Sequence, residues 1–540
     1  MKKPMIRLLA LVLLWVLLAG CSQLGGPASQ LLDAIQQESG EAYVTFDEMV
    51  YTRPDLAELE TVLEEACQAA AGEEFRKILQ GIYAFYDVYD AFHTNYALAD
   101  IHYCQDLTNA YWEEEYNFCM GAAPSVDAML EELYCALAKS PCLEKLEADM
   151  YFGQGYFDSY QDQTPWEAEF LDLLEREAEL TSRYYELSDL GNNHVYGSEA
   201  YYDACFEEMA NVLAQLVPIR QEIARYWGYE DFAQFAADNY YYRDYDLDQA
   251  EAYLEAIREE LVPLYVRFNE NFVWADAFVP SQEAQTYSRL RTAAVNMGGA
   301  IAESFLVMDR GGLYDISYSE NKYPASFETY LTTYQVPFVF LNATQTDYDY
   351  LTFAHEFGHF CNDHVSWGSY AGTDVQEFFS QGMEYLALCY GENTDNLRKV
   401  KLAESLAIYV EQAGYAVFEL ELYRLPADRL NPEGIRELYD RVASDFGFGS
   451  VGYDSRDFVS VTHFFTDPMY ILSYVVSNDA AMQLYQMEME EPGAGLACFE
   501  ENLGTEEYYF LSFLNVAGLE NPFAPNRLEE LKKTFGEILP

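Results

Sequence analysis

Between residues 51 and 193 apolar side chains recur every three to four positions over stretches far longer than a strand, which predicts long amphipathic helices. One of them starts at Thr164-Pro165-Trp166-Glu167, where a cap, a proline at the first helical position and an acidic third residue coincide. Phe170, Leu173, Leu174, Ala178 and Thr181 mark its apolar face, and Gly191-Asn192-Asn193 ends it. The helical period continues from Tyr202 to Tyr334, with Asp246-Leu247-Asp248 capping a helix over residues 250–262. Short β elements are expected near Tyr314 to Tyr318 and at Val336 to Leu341. The second contains Pro337, whose missing N–H suits an edge strand. A helix over residues 347–363 follows, with Thr344, Thr346 and Asp347 as candidate caps and Phe353, Phe357 and Phe360 on or near its apolar face. Gly368 and Gly372 break the chain, and Asp374 caps a further helix from Val375.

The first of these two helices carries His355-Glu356-Phe357-Gly358-His359, the pattern His-Glu-x-x-His. Two imidazoles one turn apart face the same way and can share a zinc ion, while the glutamate between them can polarise a water and take its proton. A zinc hydrolase needs a third protein ligand. The downstream candidates are His364, Asp374, Glu377 and Glu384. His364 lies five residues past His359, about 140° round a continuing helix, which suits a helix end. Glu377, in the first turn of the second helix, can be a capping residue or a ligand. Glu384, two turns further on the same face, suits a hydrogen-bond partner for an imidazole N–H.

His355-Glu356-Phe357-Gly358-His359 followed by Glu377-Phe-Phe-Ser380-Gln381-Gly-Met383-Glu384 resembles the thimet oligopeptidase and oligoendopeptidase F family of zinc metallopeptidases. The resemblance extends over residues 201–526. It includes Ile223-Ala-Arg-Tyr-Trp-Gly-Tyr229, Gly311-Gly312-Leu313-Tyr314 and Pro337-Phe338-Val339-Phe340-Leu341-Asn342. It implies a mainly α-helical, two-lobed fold with a deep channel and a small β-sheet beside the active-site helix. It implies one zinc ion held by His355, His359 and Glu377, with Glu356 activating the water. Phe338 and Val339 would lie on the edge strand that pairs with a peptide backbone. Val461-Thr-His463-Phe-Phe-Thr-Asp-Pro468-Met-Tyr470-Ile-Leu-Ser-Tyr474 resembles the family's histidine-plus-tyrosine stretch, which makes His463 and Tyr470 oxyanion donors and Tyr474 a lesser one. Glu377 follows His359 by 18 residues, a shorter interval than in the thimet branch, so the intervening loop departs from the pattern.

The start of the chain adds a location. Lys2, Lys3 and Arg7 precede an apolar run from Leu8 to Leu18, too short to span a bilayer comfortably and fitting a signal peptide over residues 1–20. Leu18-Ala19-Gly20-Cys21 resembles a bacterial lipobox, so Cys21 is expected to carry lipid and residues 21–45 to act as a tether outside the cytoplasmic membrane, in the cell envelope. An N-terminal helical lobe is then expected over residues 46–195 and a catalytic domain over residues 196–540. A net charge of −61, from 91 acidic and 30 basic residues, argues against nucleic acid as a partner, since phosphates would be repelled. Of the cysteines after Cys21, Cys135 with Cys142 or Cys104 with Cys119 are candidate disulfides in an oxidising exterior. The function expected is a zinc endopeptidase of short unstructured peptides. The alternatives are a lipid-anchored peptide-binding protein without catalysis and a zinc hydrolase of a non-peptide amide.

Overall fold

The computed structural model describes residues 44–536 apart from 149–151, 162–167, 193, 196, 273–276, 369–370 and 506. The expected signal peptide, Cys21, the expected tether up to residue 43 and the Thr164–Glu167 helix start therefore lie outside the described residues. Among the described residues no helix is long and apolar enough to cross a membrane. The fold is mainly α-helical with one small sheet.

The first lobe is built from α1 (Leu56–Ala70), α2 (Phe75–Gln105) and α3 (Ala110–Ala138). Asp55 and Asn109 cap α1 and α3, each accepting two backbone N–H groups of the first turn. Leu59, Leu63, Ile78, Ile82, Phe85, Val126, Leu133 and Phe157 form an apolar core separate from the main one. The main core is much larger and takes in α4 (Ala168–Asn192) through Phe170, Tyr184 and Leu187, although the sequence pattern groups that helix with the first lobe. Helix α2 belongs to both: Ile78 to Phe92 serve the smaller core, Leu98, Ile101 and Cys104 the larger. Helix α5 (Glu199–Tyr226) packs along α4, and the helix at Leu247–Glu260 starts on a reciprocal Asp246/Gln249 cap, where the sequence places it.

The sheet has three strands, β1 (Tyr314–Asp315), β2 (Ser326–Leu331) and β3 (Val336–Leu341), in the order β1-β3-β2. This corrects the expectation for Val336–Leu341. That strand is central, parallel to β1 and antiparallel to β2, not an edge. Its proline is tolerated for a local reason. The Val339 N–H points to Leu313 on the β1 side, so by alternation the nitrogen of Pro337 points the same way, where β1 pairs only with Val339 and Phe340. Phe338 and Val339 are buried at 1% and 0% exposure, Phe338 against the Phe46 ring, so they are core and not peptide-binding residues. Among the described residues the outer strands of the sheet are β1 and β2.

Two helices follow the sheet, α6 (Asp349–Ser366) and α7 (Thr373–Tyr390). The caps differ from expectation. Asp349 accepts from the Thr344 N–H, the Thr344 hydroxyl and the Thr346 N–H, so the threonines are donors to the helix start instead of caps for it. Gly372 occupies the cap position of α7, and Asp374 is buried in its first turn, accepting from the Tyr245 hydroxyl at 2.7 Å. All nine cysteines after Cys21 are free, so neither expected disulfide forms. Cys104 lies against Asp100 and Cys142 against the Glu73 carbonyl.

Candidate metal centre and active site

His355 and His359 project one turn apart from α6, their ring centres 5.2 Å apart. Glu377 reaches them from α7, with Oε2 3.6 Å from His355 Nε2 and Oε1 3.8 Å from His359 Nε2. The three donor atoms all lie within 4.8 Å of one another, and among the described residues no other trio of His, Cys, Asp or Glu does this. Zinc–nitrogen and zinc–oxygen bonds near 2.0–2.1 Å in a tetrahedron place neighbouring donors roughly 3.3 Å apart, so two imidazoles and a carboxylate at these separations fit a catalytic zinc site with one position left for water. The close approach of α6 and α7 depends on Gly358. A Cβ there would stand 2.3 Å from the Phe379 carbonyl oxygen and 2.7 Å from Ser380 Cα.

Behind the trio, His355 Nδ1 donates to Glu384 Oε1 at 2.9 Å, so that in the neutral imidazole the Nε2 lone pair is the one turned to the cavity. The other oxygen of Glu384 is 2.6 Å from the Lys401 ammonium, on α8 (Asp395–Ala407), and the same ammonium lies 3.2 Å from Glu404. Burial disfavours charge on both imidazoles. In His355 the Glu384 hydrogen bond and the surrounding carboxylates outweigh it and raise the pKa to about 9; in His359 burial wins and lowers it to about 4. Glu377 is braced by the Ser380 hydroxyl at 2.9 Å on Oε2 and by the Tyr470 hydroxyl on Oε1. Glu356 is buried, and desolvation pushes its carboxyl up to about 7 despite the charge on His355 and a hydrogen bond from Ser326 of β2.

These groups line a cavity of about 1160 Å³ between the first lobe, which contributes Tyr96, Tyr116 and Asp127, and the metal-site half. A second cavity of about 540 Å³ shares Ser326, Phe327, Glu328, His463 and Tyr474 with it, so open space runs along the exposed edge of β2. Opposite that edge, His463 Nε2 is 3.1 Å from the Tyr474 hydroxyl and the His463 ring stacks on Tyr470 at 4.6 Å. Tyr474 lies in α10 (Ile471–Glu490), after α9 (Ala413–Leu422) in the chain. Burial, then the charge of Glu377, hold both phenols far above their ordinary range, so each keeps its proton. On His463 burial opposes the charge but Asp467, hydrogen-bonded to Nδ1 at 3.4 Å, prevails and raises its pKa.

Residues 46–164 match the family model described as the Peptidase M3 N-terminal domain. The whole fold agrees with that match. A protein described as an oligoendopeptidase F superposes with a TM-score of 0.80 over 92% of this chain and 98% of its own, at 20% identity. The chain thus carries a match to the Peptidase M3 N-terminal domain and has the fold of the oligoendopeptidases. PZ peptidase A, solved with an inhibitor, gives a TM-score of 0.81 at 18% identity over 92% of this chain and 99% of its own. Oligoendopeptidase-F from Enterococcus faecium gives 0.58 at 16% identity over 89% and 96%. No curated protein matches the sequence.

Within this fold the structure brings together His355, Glu356, His359, Glu377, Glu384, His463, Tyr470 and Tyr474, whereas Phe338 and Val339 are buried in the core and their place at the cavity is taken by Ser326, Phe327 and Glu328. His364, near the end of α6, bonds to Ser304 at 2.9 Å, away from the trio. Sequence reasoning missed Lys401, Arg243 and Glu419. The last two shape the turn before Tyr470. Met469 is held in the left-handed region at φ 69°, its N–H donating to Glu419 at 2.9 Å and its carbonyl accepting from Arg243 at 2.9 Å. No local pattern marks these three, because the partner that gives each its role at the site (Glu384 for Lys401, Met469 for Arg243 and Glu419) lies more than fifteen residues away in the chain. Only the buried cation beside Glu384 gives a hint after the fact.

Proposed function

We propose that the chain is a zinc-dependent endopeptidase of short, unstructured peptides, tethered outside the cytoplasmic membrane through lipid on Cys21. The observation that carries the catalytic part is the convergence of His355, His359 and Glu377 within 4.8 Å, on a cavity whose far wall is an unpaired strand edge. A strand edge holds an extended peptide by main-chain hydrogen bonds whatever its side chains, which suits a peptidase and gives nothing to a hydrolase of a small amide. A bound zinc ion would supply Lewis acidity, polarising the scissile carbonyl and acidifying the attacking water.

The chain's own residues do the rest. A substrate laid along β2 presents its carbonyl beside Glu356, whose carboxylate takes the proton from the attacking water and returns it to the leaving amine nitrogen. The raised proton affinity of Glu356 suits both halves of that cycle. As negative charge grows on the carbonyl oxygen, the Tyr474 hydroxyl and the His463 imidazole stand on the cavity wall as donors. The Tyr470 hydroxyl is engaged with Glu377, so its part is to hold that carboxylate in place, with donation to the substrate secondary. The location rests on the apolar run and the lipobox-like Leu18–Cys21 segment.

Incubating the chain with a mixed peptide library, with zinc and with a chelator, tests the reading. Zinc-dependent internal cleavage of short peptides is expected. Tight peptide binding with no fragments at saturating zinc would leave a peptide-binding protein in its place.

A further inference from the structure

The cavity wall carries seven carboxylates and, among its lining residues, no lysine or arginine. Six of the seven are accounted for within the protein. Glu177 pairs with Arg220 at 2.6 Å, Asp467 with His463 at 3.4 Å, Asp127 accepts from Tyr89 at 3.1 Å and Asp363 from Gln376 at 3.4 Å. Glu356 and Glu377 belong to the metal centre. Glu328 is different. Its Oε1 is closed off from solvent with no hydrogen-bond partner, and so is the hydroxyl of Tyr330 two residues on. Alternation along β2 puts Ser326, Glu328 and Tyr330 on one face, the face on which Ser326 meets Glu356. Burial, followed by the like charges of Asp363 and Glu356, drives the Glu328 carboxyl well above the ordinary carboxylate range. A strand that lines a substrate cavity thus holds a carboxylate facing two others, with nothing of opposite sign to answer it.

We infer that Glu328, with Asp363 beside it, is a specificity pocket for a basic side chain, so that the enzyme selects peptides carrying Lys or Arg within two residues of the cut bond. This rests on the peptidase reading above and names its substrate class. The spacing sets the position. Ser326 and Glu328 are separated by about 7 Å along the strand, the repeat of alternate residues in an extended peptide paired to it. A substrate whose scissile carbonyl sits by Glu356 therefore directs a side chain at Glu328 from one or two residues away. An ammonium or guanidinium there favours the ionised Glu328, which gives up its proton to solvent, and gains charge-assisted hydrogen bonds to it. A neutral side chain leaves that carboxyl without a partner, and an acidic one adds a further like charge. The overall charge of −61 acts in the same sense at long range, drawing cationic peptides toward the cavity.

The experiment uses the full chain loaded with zinc and a peptide library in which each position around a common core is Lys, Arg, norleucine or Glu, with fragments read by mass spectrometry. Enrichment of Lys and Arg at one position within two residues of the cut is expected. The ratio of kcat/KM for the Lys peptide to that of its norleucine counterpart should fall about 10- to 100-fold in Glu328→Gln, the range for a lost charged hydrogen bond. In Glu328→Lys the preference should turn toward the Glu peptide. Cleavage without Lys or Arg enrichment, or a Lys-to-norleucine ratio unmoved by Glu328→Gln, overturns the pocket and leaves the peptidase reading standing. Failure to cut any peptide overturns both.

Discussion

Gly358→Ala sets two effects of opposite sign against each other at the point where α6 and α7 touch. Inside a helix, alanine for glycine is worth about 1 kcal/mol in favour of the variant on propensity alone. The added methyl, however, would come 2.3 Å from the Phe379 carbonyl oxygen, 2.7 Å from Ser380 Cα and 2.9 Å from Met383 Cβ. Ordinary contact begins near 3.5 Å, so the two helices must separate by roughly 1 Å. Two of the three atoms met are backbone, so no rotamer change relieves the clash. Overpacking of this kind costs about 1–3 kcal/mol and commonly more where backbone is met, so the propensity gain is cancelled or exceeded. The functional cost is larger. Glu377 lies two to six residues before the atoms displaced, and a shift of about 1 Å in a catalytic constellation costs on the order of 100-fold. Zinc affinity by chelator competition, kcat/KM on a peptide and urea unfolding of the metal-free chain would be measured together. All three should fall, affinity and kcat/KM by one to two orders of magnitude. A variant that unfolds at higher urea and keeps zinc affinity within threefold would show that the helix–helix approach at Gly358 does not seat Glu377.

Further outcomes follow from the same geometry. Glu356→Gln should bind zinc normally and lose about 10²- to 10⁴-fold in kcat, measured by metal stoichiometry beside initial rates; full activity would remove Glu356 from the proton transfer. Lys401→Met strands the buried Glu384 carboxylate and removes the partner of the half-buried Glu404, so unfolding should become easier by about 3–5 kcal/mol and zinc binding about 10- to 100-fold weaker, by denaturation and chelator competition. Glu419 titrates at about 7 in the folded chain against an ordinary 4.5, raised by burial. An acid with a raised folded pKa stabilises the fold while protonated, so its contribution is complete below 4.5 and is lost as pH climbs to about 7, a change of about 3 kcal/mol. Glu419→Gln should therefore flatten the decline in urea stability between pH 5 and pH 8; an unchanged slope would refute it.

The candidate metal site was legible because its logic is local. Two histidines at helical spacing, a glutamate between them and a carboxylate opening the next helix are separated by short, regular intervals. The strand roles were not. Pro337 points to an edge only if the neighbour on its nitrogen side is long, and β1 is two residues long. The real edge, Ser326–Leu331, reads SFETYL, in which Phe and Tyr fall on opposite faces and the alternation is blurred. The caps were misread because Asp349 competes with Thr344 and Thr346 for the same role, and a carboxylate is the stronger acceptor. Nearness in sequence suggested disulfides, yet Cys104 and Cys119 end up buried in separate helices, each with a partner of its own in Asp100 and Tyr51. Lys401, Arg243 and Glu419 could not be assigned roles, since what gives a buried ion its meaning is the partner it meets across the fold.

Helix α2 has a mechanical consequence. One end is embedded in the small core, while the other is fastened to the sheet region by the Leu107 N–H on the Asn321 carbonyl and the Tyr323 N–H on the Cys104 carbonyl. Midway, Thr94 is hydrogen-bonded to Thr333 in the turn that joins β2 to β3. The helix therefore couples the small core to the β2–β3 hairpin. On the proposed role of β2, a swing that widened the cavity would pull on that hairpin, so access and the alignment of a guest chain would be one motion of the same beam.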